Sequence, residues 1–210
     1  MAVSTAEFDA MQPVPYSQAR GRLRTGDILL FHSLGLPSLT IEHFTNSLWS
    51  HAAFIWCLED IERVLLLESV DTYGVRCLAL SNRINGSSAA PEPYPGKLLV
   101  ARHADFPYPA DPRKVGAMTQ FAIDRLGYPY GTGDLVRIGM RIAAGLAGIT
   151  LPGELQPRNG YVCSEYVANC YAAMDINLAP DKEGFMAPAD IAADPKVRAV
   201  LSLCPDPPAR

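Results

Sequence analysis

The stretch Asn159–Cys170, NGYVCSEYVANC, decides how the chain is read. An Asn-Gly turn leads into what the spacing predicts as an amphipathic helix from about Tyr161 to Asp175. Cys163, Val167, Cys170 and Met174 recur at the intervals that make one face of an α-helix. A cysteine within a helix is ordinarily a small apolar core residue. At a helix N-terminus the free N–H groups and the helix dipole favour the thiolate and lower its pKa. Which of these describes Cys163 depends on whether a base lies near it.

Two β-rich segments supply one. HAAFIWCL (51–58) and ERVLLLESV (62–70) read as strands of an antiparallel hairpin turning at Glu59-Asp60. A tight turn there sets Cys57 opposite Glu62, Ile55 opposite Val64, Ala53 opposite Leu66 and His51 opposite Glu68. Directly opposed residues hold their Cβ atoms about 4.5–5.5 Å apart on one face. That is within reach for a carboxylate to accept from an imidazole. Glu68 stands in an otherwise apolar run, where a buried unpaired carboxylate costs several kcal/mol in order of magnitude. The apolar face of Ala53, Ile55, Val64 and Leu66 is the expected docking surface for the cysteine helix. Docking there brings Cys163 towards His51 and predicts a nucleophile, its base and a tautomer-fixing acid. Cys57, Cys77, Cys170 and Cys204, and His32, His43 and His103, have no such partners in the pattern.

The rest of the chain bounds this reading. Its 210 residues fit one domain, and 49% hydrophobic against 19% charged residues supports a packed core. The net charge of −4 and the absence of a Lys/Arg run offer nothing to nucleic acid. Five cysteines in no framework spacing fit reduced thiols, with no CxxC or HExxH-like pattern for a metal. No cofactor is expected. The N-terminus lacks a basic start and an apolar core, so a cytoplasmic location without a signal peptide is expected, with non-classical export left open. The apolar stretch from Asp134 is interrupted by Arg137 and Arg141 and is too short to span a bilayer. Its expected role is a helix in the core or over a pocket. The alternative is a surface helix touching lipid headgroups.

Along the chain, residues 1–22 read as an irregular lead-in and 23–195 as the domain, with an apolar helical insertion at about 132–152. Residues 196–210 read as a tail. GDILLF, GVRCLAL and KLLVARH read as further strands. PSLTIEHFTNSL, a segment from Arg113 to Leu126 and PADIAADP read as helices, while RINGSSAAPEPYPG and Pro152–Gly160 read as loops. Strands first and helices mostly later is an α+β pattern.

In that order GDILLF, SHAAFI, LLLESV followed by GV, LVARH, GYPYG and YVCSEYVANCY resemble the permuted papain-like cysteine hydrolases. These are the YiiX/YaeF-type branch of the NlpC-like superfamily, related to lecithin:retinol acyltransferase. The resemblance covers roughly Leu23 to Asp175. It implies a circularly permuted papain-like fold, with the histidine strand ahead of the cysteine helix and that helix packed on an antiparallel sheet. It implies Cys163 as nucleophile, His51 as base and Glu68 as the third polar residue, with Tyr161 helping an oxyanion site. Gly26 and Asp27 match a GD motif with a structural role. The implied activity is an amidase or peptidase acting on small peptides, cell-wall fragments or lipidated amides. The alternatives are an acyltransferase or lipid (thio)esterase, and a non-catalytic binding module on the same fold. About thirty residues between GYPYG and YVCSE, more than the family pattern carries, are expected to shape the pocket.

Overall fold

The computed structural model describes residues 5–32, 48–109, 111–131, 160–178 and 186–208. The readings of PSLTIEHFTNSL, of the apolar insertion and of the loop before Gly160 fall essentially outside them. Seven strands form one sheet in the order β1-β7-β6-β2-β3-β4-β5. They are β1 (Pro13–Pro15), β2 (Ile28–His32), β3 (His51–Leu58), β4 (Arg63–Val70), β5 (Gly74–Ala79), β6 (Lys97–His103) and β7 (Val197–Cys204). All pairings are antiparallel except β1 with β7. The helices include α1 (Thr5–Ala10), α2 (Tyr16–Ala19), α3 (Leu80–Asn85), α4 (Pro112–Asp124), α5 (Cys163–Ala172) and α6 (Pro188–Ala193). The α+β class expected from the strand-then-helix order is the observed one.

The central strands are apolar on both faces, so the sheet is a middle layer. Leu29, Phe31, Ala53, Ile55, Leu66, Leu98 and Val100 pack on one face with Tyr16 and Ala19 of α2 and Leu80 and Ile84 of α3. Ile28, Leu30, Ala52, Phe54, Leu67 and Leu99 pack on the other with Met118 of α4, Val167, Cys170 and Tyr171 of α5 and Ile191 of α6. The cysteine helix therefore docks on the face opposite to the expected one. Alternation cannot choose between two buried faces, because both read as apolar.

The β3–β4 register also differs. The connection is a four-residue loop, Glu59 to Glu62, closed by Glu62 in the left-handed region at φ 50°. Ile55 pairs with Leu66 and Cys57 with Val64, so each partner lies two residues from the expected one. A slip of two preserves the facing of every side chain, whereas a slip of one would reverse it. His51 and Glu68 thus stay on one face, now as diagonal neighbours.

The two ends of the chain are part of the sheet. The stretch read as a lead-in contributes β1, and the stretch read as a tail contributes β7, which pairs along β6 from Leu98↔Leu203 to His103↔Val197. Prolines on both sides of β7 suggest a tail, yet its partner is distant in sequence and no hairpin turn announces it. The prolines of β1 are tolerated because it is an edge strand. The composition of RINGSS predicts a loop throughout, but α3 extends to Asn85. Among the described residues, no helix is long and apolar enough to cross a membrane.

One close approach positions the GYPYG segment. Gly74 has φ +66°, and a Cβ there would overlap the Tyr128 carbonyl oxygen, a backbone atom that cannot swing away. That oxygen accepts from Val75 N–H at 2.8 Å, and Gly127 N–H donates to Val75 O at 2.9 Å. Gly74→Ala is therefore expected to cost more than about 1 kcal/mol of stability, read as a lowered denaturation midpoint. An unchanged midpoint would contradict this packing.

Candidate active site

The site forms where β3 and β4 part. Their pairing runs from Leu58↔Arg63 to Phe54↔Leu67. Towards His51, β3 pairs with β2 (Phe31↔His51, Leu30↔Ala52), and Glu68 of β4 pairs with Arg76 of β5. The N-terminus of α5 reaches this opening. Ser69 Oγ donates to Tyr161 O at 2.6 Å, so β4 holds the chain just ahead of Cys163. Gly131 N–H also donates to Tyr161 O, and Tyr161 N–H donates to Pro129 O. Gly160 lies against the Pro129–Gly131 segment, with no room for a Cβ beside Pro129 O.

Further contacts fix the helix itself. Glu165 Oε2 accepts from Val162 N–H at 3.3 Å, satisfying one of the free donors at the helix start. Ser164 Oγ donates to Met186 O, Tyr166 Oη to Ala122 O, and Tyr171 Oη to Gly26 O. The GD pair is part of that scaffold. Asp27 is buried, accepts from Arg102 Nε at 2.6 Å and from Arg24 N–H at 2.9 Å.

Within this frame His51 Nε2 lies 2.9 Å from Glu68 Oε2. His51 also hydrogen-bonds Cys163, and with Nε2 taken by the carboxylate, Nδ1 is the nitrogen left for the thiol. Phe31 braces the imidazole, with ring centroids 4.8 Å apart. The backbone N–H groups of Ala52 and Ser164 also favour the Cys163 thiolate. Ala52 N–H serves the sulfur because β4 has left that side of β3. The structure thus brings Cys163, His51 and Glu68 together in one relay.

The charges follow from the contacts. Burial pushes the Cys163 thiol up, but the His51 cation, its hydrogen bond and the two N–H donors outweigh that and lower it. Burial opposes the His51 charge, yet the Cys163 thiolate and Glu68 raise its pKa to about 9. Burial likewise penalises the Glu68 carboxylate, and His51, Arg83 and Arg76 together pull it down to about 2. The remaining cysteines go the other way. Burial pushes Cys57 up to about 11 and Cys170 up to about 12, and raises Cys77 and Cys204. Cys163 is the only one of the five thiols poised to ionise.

Tyr161 does not take the place expected for it. Its hydroxyl accepts from Arg125 Nε at 3.0 Å, and its ring packs with Phe121, Tyr128 and Tyr166. The tyrosine at the sulfur is Tyr130 of GYPYG, which hydrogen-bonds Cys163. Burial and the nearby thiolate hold its phenol protonated, so it donates. The GYPYG motif marks the segment, but no pattern shows that its second tyrosine crosses to α5. Arg76 and Arg83, also absent from the expected set, surround Glu68. Arg76 donates through Nε at 2.9 Å and Nη2 at 2.5 Å to Oε1, and Arg83 Nε lies 3.7 Å from Oε2. Only the Arg76–Glu68 opposition across β4 and β5 has a signal in sequence, through the short turn at Asp71–Tyr73.

The histidine strand precedes the cysteine helix along the chain, in the order the sequence resemblance implies. Among solved structures, the chain is similar to one described as the metalloprotein YiiX from Escherichia coli O157:H7 (DUF1105). The two are 18% identical with a TM-score of 0.57, covering 87% of this chain and 98% of that one. The chain shares the fold of that protein. No family model matches the chain, and no curated protein matches it. Among the described residues, no three His, Cys, Asp or Glu side chains gather as a metal site requires. Both Glu68 oxygens are already engaged by His51 and Arg76. This donor set does not fit a metal.

Removing the phenol from the thiolate has a direct consequence. Tyr130→Phe is expected to raise the Cys163 pKa, seen as a shift of the ultraviolet thiolate absorbance to higher pH. An unshifted titration would remove Tyr130 from the site.

Proposed function

We propose that this protein is a cysteine hydrolase that cleaves an amide bond through a thioester acyl-enzyme. The observation that carries the reading is the thiol–imidazole–carboxylate relay at the helix start, with Cys163 alone among the cysteines lowered in pKa. The Cys163 thiolate attacks the substrate carbonyl and forms the C–S bond. The developing oxyanion is stabilised by backbone N–H donors at the α5 N-terminus, where aligned dipoles favour negative charge. His51 gives its proton from Nδ1 to the leaving amine as the C–N bond breaks. It then takes a proton from water, which attacks the thioester and releases the acid. Glu68 holds the imidazole ring in place and stabilises its charge throughout.

The substrate class proposed is a small peptide, a cell-wall fragment or a lipidated amide. The same thioester can pass its acyl group to a second nucleophile, so acyl-chain esters and thioesters belong in the test.

The chemistry needs Cys163 deprotonated and His51 protonated. Activity should therefore rise as the thiol ionises, below the ordinary thiol range. It should fall as pH passes about 9, where His51 loses its proton. The test is a panel of peptide amides and acyl esters, with intact-mass detection of the acyl-enzyme in wild type and Cys163→Ala. Amide turnover with an adduct on Cys163, absent from the variant, is expected. Turnover of acyl esters alone would transfer the reading to a lipid esterase or acyltransferase. No adduct with any member, and ligand binding that survives Cys163→Ala, would overturn catalysis in favour of a binding module.

A further inference from the structure

Glu68 is unlike a simple third member of a relay because it faces three cations. Its side chain has no solvent exposure. Oxygen Oε1 takes two bonds from Arg76, and Oε2 takes the His51 bond with Arg83 beside it. Arg83 is held over the rings of Phe31 and Tyr94, each 4.8 Å from its guanidinium carbon. Its Nε is buried and makes no hydrogen bond. Arg76 lies over the Tyr73 ring at 4.9 Å. These contacts fix both guanidinium groups in place, and neither is free to follow a substrate.

The charge balance gives this arrangement a purpose. A lone buried carboxylate on the imidazole would hold its proton too tightly and would repel the neighbouring thiolate. Both effects push the protonation steps of the Cys163–His51 pair to higher pH. Two fixed positive charges on the far side of the carboxylate oppose both. Among the described residues, the other titratable group at the pair is Tyr130 from the GYPYG segment. Asp71 and Glu165 act on Tyr130.

We propose that Arg76 is a positioning residue, which clamps Glu68 and cancels its charge so that the carboxylate serves His51 as a fixed, near-neutral acceptor. Arg83 is the second counter-charge. The two arginines therefore set the pH range over which the Cys163–His51 ion pair exists. This rests on the relay described above as the working site, but its test does not need turnover.

The experiment is a pH titration of Cys163 thiolate absorbance in wild type, Arg76→Met, Glu68→Gln and the double variant. Thermal melting of each serves as a fold control. Removing Arg76 alone should move both protonation steps up by about one unit. Removing Glu68 alone should move them down. The double variant, in which a charge pair is removed together, should return close to wild type. Arg76→Lys keeps the charge but loses the two-pronged grip. It should leave the steps in place, and Arg76→Gln, which also removes the charge, stands in if Arg76→Met fails to fold. Steps that do not move in Arg76→Met, or that move in Arg76→Lys as far as in Arg76→Met, overturn the proposal. Shifts as expected in a protein that turns over no substrate would leave this inference standing and remove the proposed function. Turnover with unmoved steps would do the reverse.

Discussion

Glu68 carries a full negative charge in the middle of an apolar strand, with no exposure to solvent. Removing a carboxylate from water without partners costs several kcal/mol in order of magnitude. The surrounding fold is arranged so that it is never without them. β5 must pair with β4 in the register that brings Arg76 opposite Glu68. α3 must follow β5 at once so that Arg83 turns back over Phe31. β3 must leave β4 beyond Phe54 so that His51 reaches the other oxygen. The same parting frees Ala52 N–H and opens the space that the N-terminus of α5 fills. The strand geometry that satisfies the carboxylate is therefore also the geometry that exposes the thiol to a base. Removing one partner would leave a buried charge uncompensated, which is why stability and chemistry are coupled here.

The scaffold around this point is rigid for ordinary reasons. α5 buries Tyr166, Val167, Cys170 and Tyr171, each apolar side chain contributing about 1.5–3 kcal/mol by leaving water. Its tyrosine hydroxyls bond carbonyls from α4 and from the turn before β2. The thiol therefore sits on an element tied to three others, which limits how far it can move from His51. Preorganisation of this kind places the reacting groups before substrate arrives.

Much of this was legible in the residues, and the failures have physical causes. The Cys163 helix is marked by its 3.6-residue stripe, and β3 and β4 by short apolar runs either side of a turn. Glu68 drew attention because a carboxylate among leucines needs a partner. The hairpin register was off by two because Glu59–Glu62 closes a four-residue loop, and nothing in those residues demands a tighter or looser turn. The pairing of His51 with Glu68 survived only because sheet facing repeats every second residue. Both faces of β3 are apolar, so its residues do not choose the face on which the helix docks. β7 leaves no local signal, because its partner β6 lies about a hundred residues earlier. Tyr130 was invisible for the same reason, since a contact between a loop and a distant helix leaves no periodic trace. Tyr161 carried the motif, yet Arg125 and the neighbouring rings claim its side chain.

The central claim is that Cys163 is an activated thiolate because His51 stands beside it. The most direct measurement is the rate of Cys163 alkylation by iodoacetamide across pH, followed by mass spectrometry in wild type and His51→Ala. An ordinary thiol titrates near about 8.5, whereas base-paired thiols fall to roughly 3.5–7.5. The account predicts fast labelling that persists to acid pH in wild type and reverts to an ordinary or higher titration in the variant. Slow labelling with an ordinary titration, the same in both proteins, would contradict it.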